Sequence, residues 1–242
     1  MTNKCYILNS DIMKNELTKK DYFKIFLLYG IVYATIPIII AEITWDIILG
    51  GIGFKVGLCR DLVESFFRAA LIEEIFKFLG FMGANKKYQF KNEKEYMIGA
   101  GMIGLAYGII EKIATGNGFS IVLGIIFPMH LLWQMNQGRH YYKYKIAKEE
   151  NNIKVAKKEL FMATIFIFLM HGCWDAIISI ISHLAAEANN INANMIGGIL
   201  LILIIIIGII YVVISIKKIR KVLKNNKKSD GNKTITNKKD MR

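Results

Sequence analysis

Apolar residues run in long blocks along this chain, separated by short polar stretches. Six blocks approach the ~20 residues that a helix needs to cross a bilayer. They lie near 23–43, 62–84, 96–116, 119–138, 160–183 and 195–216. Blocks of this length exclude membrane-barrel strands, which alternate and are about half as long. The pattern predicts an all-α polytopic membrane helix bundle of about six transmembrane helices. The segment WDIILGGIGFKVGL (45–58) is short and interrupted by Gly50, Gly51, Gly53 and Lys55. It reads as an interfacial or re-entrant piece on the outer side. No internal repeat is visible, so an inverted-repeat transporter gains no support.

The polar positions inside these blocks are the anomaly. Residues 71–80 read LIEEIFKFLG, and a charge at the bilayer centre costs ~2.5 kcal/mol or more. The second block holds Glu64, Arg68, Glu73, Glu74 and Lys77, and the third Glu111 and Lys112. The fourth holds His130, and the fifth His171 and Asp175 with His183 at its outer end. Glu42 and Asp46 close the first block; the sixth has none. Such groups cannot face lipid, so they must face one another or a wet cavity. Glu73, Glu74, His130 and His171 fall near the middle of their blocks, and Glu111 toward the outer part of its own.

Helical spacing adds detail. Lys77 stands four residues from Glu73 and three from Glu74, so either acid can pair with it. Adjacent glutamates point about 100° apart, which leaves one free to face a cavity. His171 and Asp175 are four apart, so the carboxylate can orient the imidazole. Each feature alone has an ordinary reading: an ion-pair staple, a packing imidazole, a side chain snorkelling to the interface. Together they are more charge than stability requires. Ala100, Gly104 and Gly108 repeat every four residues and allow a close helix approach.

Charge sets the orientation. Hydrophobic residues make up 54% of the 242, mean hydropathy is +0.36, and net charge is +13. In a soluble protein that charge would suggest nucleic acid. Here the lysines lie in 85–95, 139–158 and beyond 216, while 184–194 has neither Lys nor Arg. The positive-inside rule then places the basic segments and both termini in the cytoplasm, with no nucleic-acid partner expected. The opening residues lack a cleavable signal pattern. The expected division is a cytoplasmic segment 1–22, a bundle 23–216 and a basic, disordered tail 217–242. Cys5, Cys59 and Cys173 form no spaced pair, and Cys173 reads as a small packing residue.

At this point the residues resemble a known family. IEEIFK (72–77) is similar to the EExxK motif of the PrsW-type intramembrane proteases. GAGMIGLAYGIIEKI (99–113) resembles that family's second motif, with Tyr107 where Phe is usual. MHLL (129–132) matches the histidine of the third motif, and LMHGCWDAI (169–177) the His-Gly-x-x-Asp of the fourth. More distantly the layout resembles the wider CAAX-protease and bacterial immunity membrane superfamily, but Lys77 and Glu111 favour the PrsW-type branch. The resemblance covers roughly 60–180. It implies a bacterial cytoplasmic-membrane endopeptidase acting on a single-span membrane protein, with an anti-sigma factor as the family precedent. Carried over by position, the active-site set becomes Glu73, Glu74, Glu111, His130, His171 and Asp175.

Two hydrolytic routes stay open. In one, zinc is held by His130, His171 and a carboxylate from Glu111 or Asp175, with Glu73 or Glu74 as base. In the other, a glutamate activates water directly and both imidazoles donate to the oxyanion. A Cys173–His171 nucleophile pair is disfavoured, because residues two apart on a helix do not face each other. A proton- or ion-coupled transporter, or a non-catalytic partner-binding protein of the same fold, would use a similar constellation.

Overall fold

The computed structural model describes residues 16–53, 57–115, 128–186 and 191–239, with the side chains of the last segment described over 195–224. Every regular element among them is helical, and the chain is an all-α membrane helix bundle. Helix α1 (Lys19–Gly51) starts at a reciprocal cap. Asp21 N–H donates to Thr18 Oγ1 at 3.2 Å, and Thr18 N–H to Asp21 Oδ2 at 3.0 Å, satisfying two backbone donors that a helix start leaves open. Helix α2 (58–88) joins Leu58–Glu64, a π-helical stretch Ser65–Ile72 and Glu73–Tyr88, and ends at Gln89, which takes a left-handed φ of 52°. Then follow α3 (Glu93–Thr115), α4 (Met129–Glu149), α5 (Ile153–Ala163), α6 (Ile165–Ala186) and α7 (Ile191–Lys239).

Among the described residues, four stretches are long and apolar enough to cross a membrane: Lys19–Gly51, Glu93–Ala114, Ile153–Ala186 and Met195–Lys224. The outer surfaces of the bundle are correspondingly apolar. Ile40, Ile47 and Ile202 are each at least 60% exposed, which in water would be an aggregation surface and in lipid is the expected face. The 62–84 block is also helical but carries too much charge to stand out by hydropathy, because its polar face turns inward. Residues 119–127 of the fourth expected span lie outside the described residues.

At three places among the described residues, helices run on beyond the apolar blocks. Of the segment 45–58, residues 45–51 continue α1 without a break, and 54–56 lie outside the described residues. The basic stretch 139–158 is not an open loop. It is the extension of α4, a turn in which Asn151 takes φ 55°, and the start of α5 capped by Asn152, whose Oδ1 accepts from Val155 N–H at 3.2 Å. Helix α7 runs on past the sixth apolar block to Lys239.

Packing of α3 on α4 positions the site. A Cβ placed on Gly104 would lie 2.2 Å from the main-chain oxygen of His130, and one on Gly138 would lie 2.2 Å from that of Tyr96. The small-residue stripe therefore lets two backbones touch. On the side of the basic segments, Phe81, Phe90, Tyr96 and Tyr141 pack edge to face as an aromatic core. Met129, Trp133 and Ile167 form a second core, against Trp174 and Tyr211.

Candidate functional site

The π-helical stretch Ser65–Ile72 packs against α6, where Phe66 fills the hollow at Gly172. Wide turns of this kind are uncommon and often flank functional residues. Regular α-helix resumes at Glu73, so Glu73, Glu74 and Lys77 occupy its first turn and a half, facing into the bundle. Lys77 is fully buried, and Glu73 and Glu74 are each 5% exposed.

These three side chains meet the others expected from the sequence. Lys77 Nζ donates to Glu74 Oε1 at 2.8 Å, to Glu73 Oε2 at 3.0 Å and to His130 Nδ1 at 3.1 Å. It also lies 4.4 Å from the centre of the Tyr107 ring, within reach of a cation–π attraction. His130 Nε2 is 2.9 Å from Glu111 Oε2, and Glu111 Oε1 accepts from Lys112 at 3.0 Å. His171 Nδ1 is 2.9 Å from Glu74 Oε1, while its Nε2 is 3.1 Å from Asp175 Oδ2 and 3.8 Å from Glu73 Oε2. The two imidazoles stand edge to face with centroids 5.1 Å apart. Helices α2, α3, α4 and α6 thus bring Glu73, Glu74, Glu111, His130, His171 and Asp175 to one place.

The two adjacent glutamates are held differently. Glu74 is fastened on both oxygens, since Oε1 meets Lys77 and His171, and Oε2 accepts from Gln134 Nε2 at 2.7 Å. Glu73 has fewer such ties: Lys77 at 3.0 Å and the Tyr107 hydroxyl, with His171 Nε2 3.8 Å away. Burial grades from one end to the other. The Lys77, Glu73, Glu74 and His171 side chains are 0–6% exposed, whereas those of Glu111 and Asp175 are 26% and 29% exposed. Glu111 and Asp175 are thus the most exposed members of the cluster.

Gln134 was not anticipated from the sequence. It is fully buried on α4, one turn after His130, and its Oε1 has no hydrogen-bond partner among the described residues. The signal was a further polar residue at helical spacing in HLLWQ. Trp133, beside it, lays its ring 4.7 Å from that of His171 and dries that side of the pocket. Cys173 is exposed rather than packed, because the buried face of α6 runs through Ile167, His171, Gly172 and Ala176. His183 pairs with Asp61 at 2.5 Å, and His140 with Glu159 at 2.6 Å.

The group able to hold a metal ion differs from the expected set. Donor atoms of Glu73, His130 and His171 lie within 4.8 Å of one another, and Glu111 is not among them. The difference follows from direction of approach. Glu73 reaches in from α2, whereas Glu111 comes off the end of α3 onto His130 Nε2. Two imidazoles and a carboxylate suit zinc in donor type. The Lys77 ammonium, however, already touches two of the three.

Over 122 residues the chain is 34% identical to a protein described as Protease PrsW from Oceanobacillus iheyensis, a match that takes in 48% of this chain and 54% of that relative. The matched region thus spans about half the length of the curated relative. No family model matches the chain, and no solved structure matches it. The resemblance carried by the four motifs is borne out by this similarity, which supports PrsW-type family membership.

Proposed function

We propose, taking homology to the PrsW-type proteases as the premise, that this chain is a multi-pass endopeptidase of the bacterial cell membrane. It hydrolyses a peptide bond in a single-span membrane protein, for which the family precedent is an anti-sigma factor in regulated proteolysis. The observation that carries this reading is the convergence of Glu73, Glu74, His130 and His171 on one buried point, with the partly exposed Glu111 and Asp175 against its two imidazoles.

Peptide hydrolysis needs an activated water, a base for its proton and donors for the oxyanion. Glu73, the more loosely held of the pair and 3.8 Å from His171 Nε2, takes the base's role. Desolvation makes a buried carboxylate a better base. Glu74 is a positioning residue that fixes Lys77, His171 and Gln134. The ring nitrogens now facing Glu111 and Asp175 lie on the more exposed side, where a substrate carbonyl would replace those carboxylates. Gln134 Oε1 offers a buried acceptor to a substrate N–H or to the water. Where zinc displaced Lys77 from these donors, Glu73, His130 and His171 would hold it, it would supply Lewis-acid polarisation of water and carbonyl, and Glu73 would act as ligand instead of base.

The test is cleavage of a co-expressed single-span reporter by the wild type and by Glu73→Gln and His171→Ala, with folding followed by gel filtration in detergent. Both variants are expected to fold and to cleave about 100-fold or more slowly than the wild type. Intact reporter with the wild type, together with proton flux in proteoliposomes, would assign the polar set to an ion relay instead.

A further inference from the structure

We infer that the Lys77 ammonium is the resident cation of this pocket and competes with a divalent metal for the same donors. This goes beyond the peptidase reading and stands on geometry alone. Lys77 Nζ lies 2.8–3.1 Å from Glu74 Oε1, Glu73 Oε2 and His130 Nδ1. A zinc ion bound by Glu73 and His130 would sit about 2.0–2.2 Å from those donors. It would then share a fully buried space with a fixed positive charge, where repulsion is screened far less than in water.

The wiring of His130 reinforces this. A lysine ammonium has donors only, and a carboxylate accepts only. His130 Nδ1 must therefore give its lone pair to Lys77, while Nε2 donates its proton to Glu111. Neither nitrogen is open to a metal while Lys77 and Glu111 hold the ring. Tyr107, stacked on the ammonium at 4.4 Å, holds Lys77 in that position. The i, i+3 and i, i+4 spacing of Lys77 from the two glutamates means that the cation is built into the same helix as the acids it neutralises.

The full-length chain, purified in detergent without chelator, is examined for zinc content and titrated with zinc by calorimetry. Lys77→Met removes the ammonium and keeps much of its volume; Lys77→Gln removes the charge and keeps a donor. The wild type is expected to carry well under one zinc per chain. Both variants are expected to bind zinc about tenfold or more tightly than the wild type, as loss of a neighbouring like charge predicts. The cobalt-loaded variants should show the visible absorption of a nitrogen–oxygen site. Adding Glu73→Gln should abolish the gain. A wild type that retains about one zinc per chain overturns the inference, and this measurement needs no variant to fold. So does a folded Lys77→Gln protein that binds zinc no better than the wild type. Both readouts are independent of proteolysis, so a chain that cleaves nothing can still pass or fail.

Discussion

Lys77 Nζ and His130 Nδ1 lie 3.1 Å apart although 53 residues separate them in sequence. The bond ties α2 to α4, and the far side of the same ring ties α4 to Glu111 on α3. A buried charge network of this kind is costly to break at one member, because the partner is left uncompensated.

Glu73→Gln and Glu74→Gln should therefore separate activity from stability. Glu74 holds three buried partners, so Glu74→Gln is expected to destabilise the folded chain by about 3 kcal/mol and to abolish cleavage. Glu73→Gln, with its looser contacts, should reduce cleavage by about 100-fold or more at a smaller stability cost. Thermal unfolding in detergent, read beside reporter cleavage, distinguishes the two.

Asp175 touches His171 Nε2 at 3.1 Å from a partly exposed position. Asp175→Asn is expected to lower cleavage by about 10–100-fold through loss of ring orientation, with little change in unfolding temperature. Single-turnover rates on a purified reporter would show a fall in rate constant rather than in substrate affinity.

Packing supplies a sharper contrast on α3. A Cβ at Gly104 would fall 2.2 Å from the His130 carbonyl oxygen, but one at Gly108 would fall 3.4 Å from the His130 ring. Gly104→Ala should destabilise by about 1–3 kcal/mol and misplace His130, whereas Gly108→Ala should be close to neutral. Parallel melting curves and cleavage assays of the two variants check this.

His140 gives a pH signature outside the membrane spans. Burial pushes its imidazole below the ordinary value, against the raising effect of the Glu159 hydrogen bond. With the folded-state pKa depressed, the unfolded chain binds the proton more readily as pH falls through ~6.5. Stability attributable to His140 is intact above that pH and declines below it. Wild type and His140→Gln, melted from pH 8 to 5, should diverge, with the variant lacking this step.

Much of the site was legible because lipid makes charge conspicuous. Glu73, Lys77, His130 and His171 are polar residues in apolar blocks, and their partners follow from helical spacing and shared depth. Gln134 was missed because a single neutral amide in WQMNQ resembles the polar edge of a span. Glu73 rather than Glu111 joins the two imidazoles, a choice set by the entry angles of α2 and α3, which linear spacing does not encode. The continuation of α1 to Gly51 was obscured by glycines, which lower helix propensity, and no neighbour among the described residues lies within 4 Å of a Cβ placed at Gly50 or Gly51.

Helix α6 contributes His171 and Asp175 late in the chain, while Glu73 and Glu74 are made early. During synthesis the acids and their lysine enter the bilayer roughly a hundred residues before the last ring that completes the pocket. A partly inserted chain holds no assembled chemistry. On the proposed reading, competence to cleave would then report that insertion had run nearly to its end.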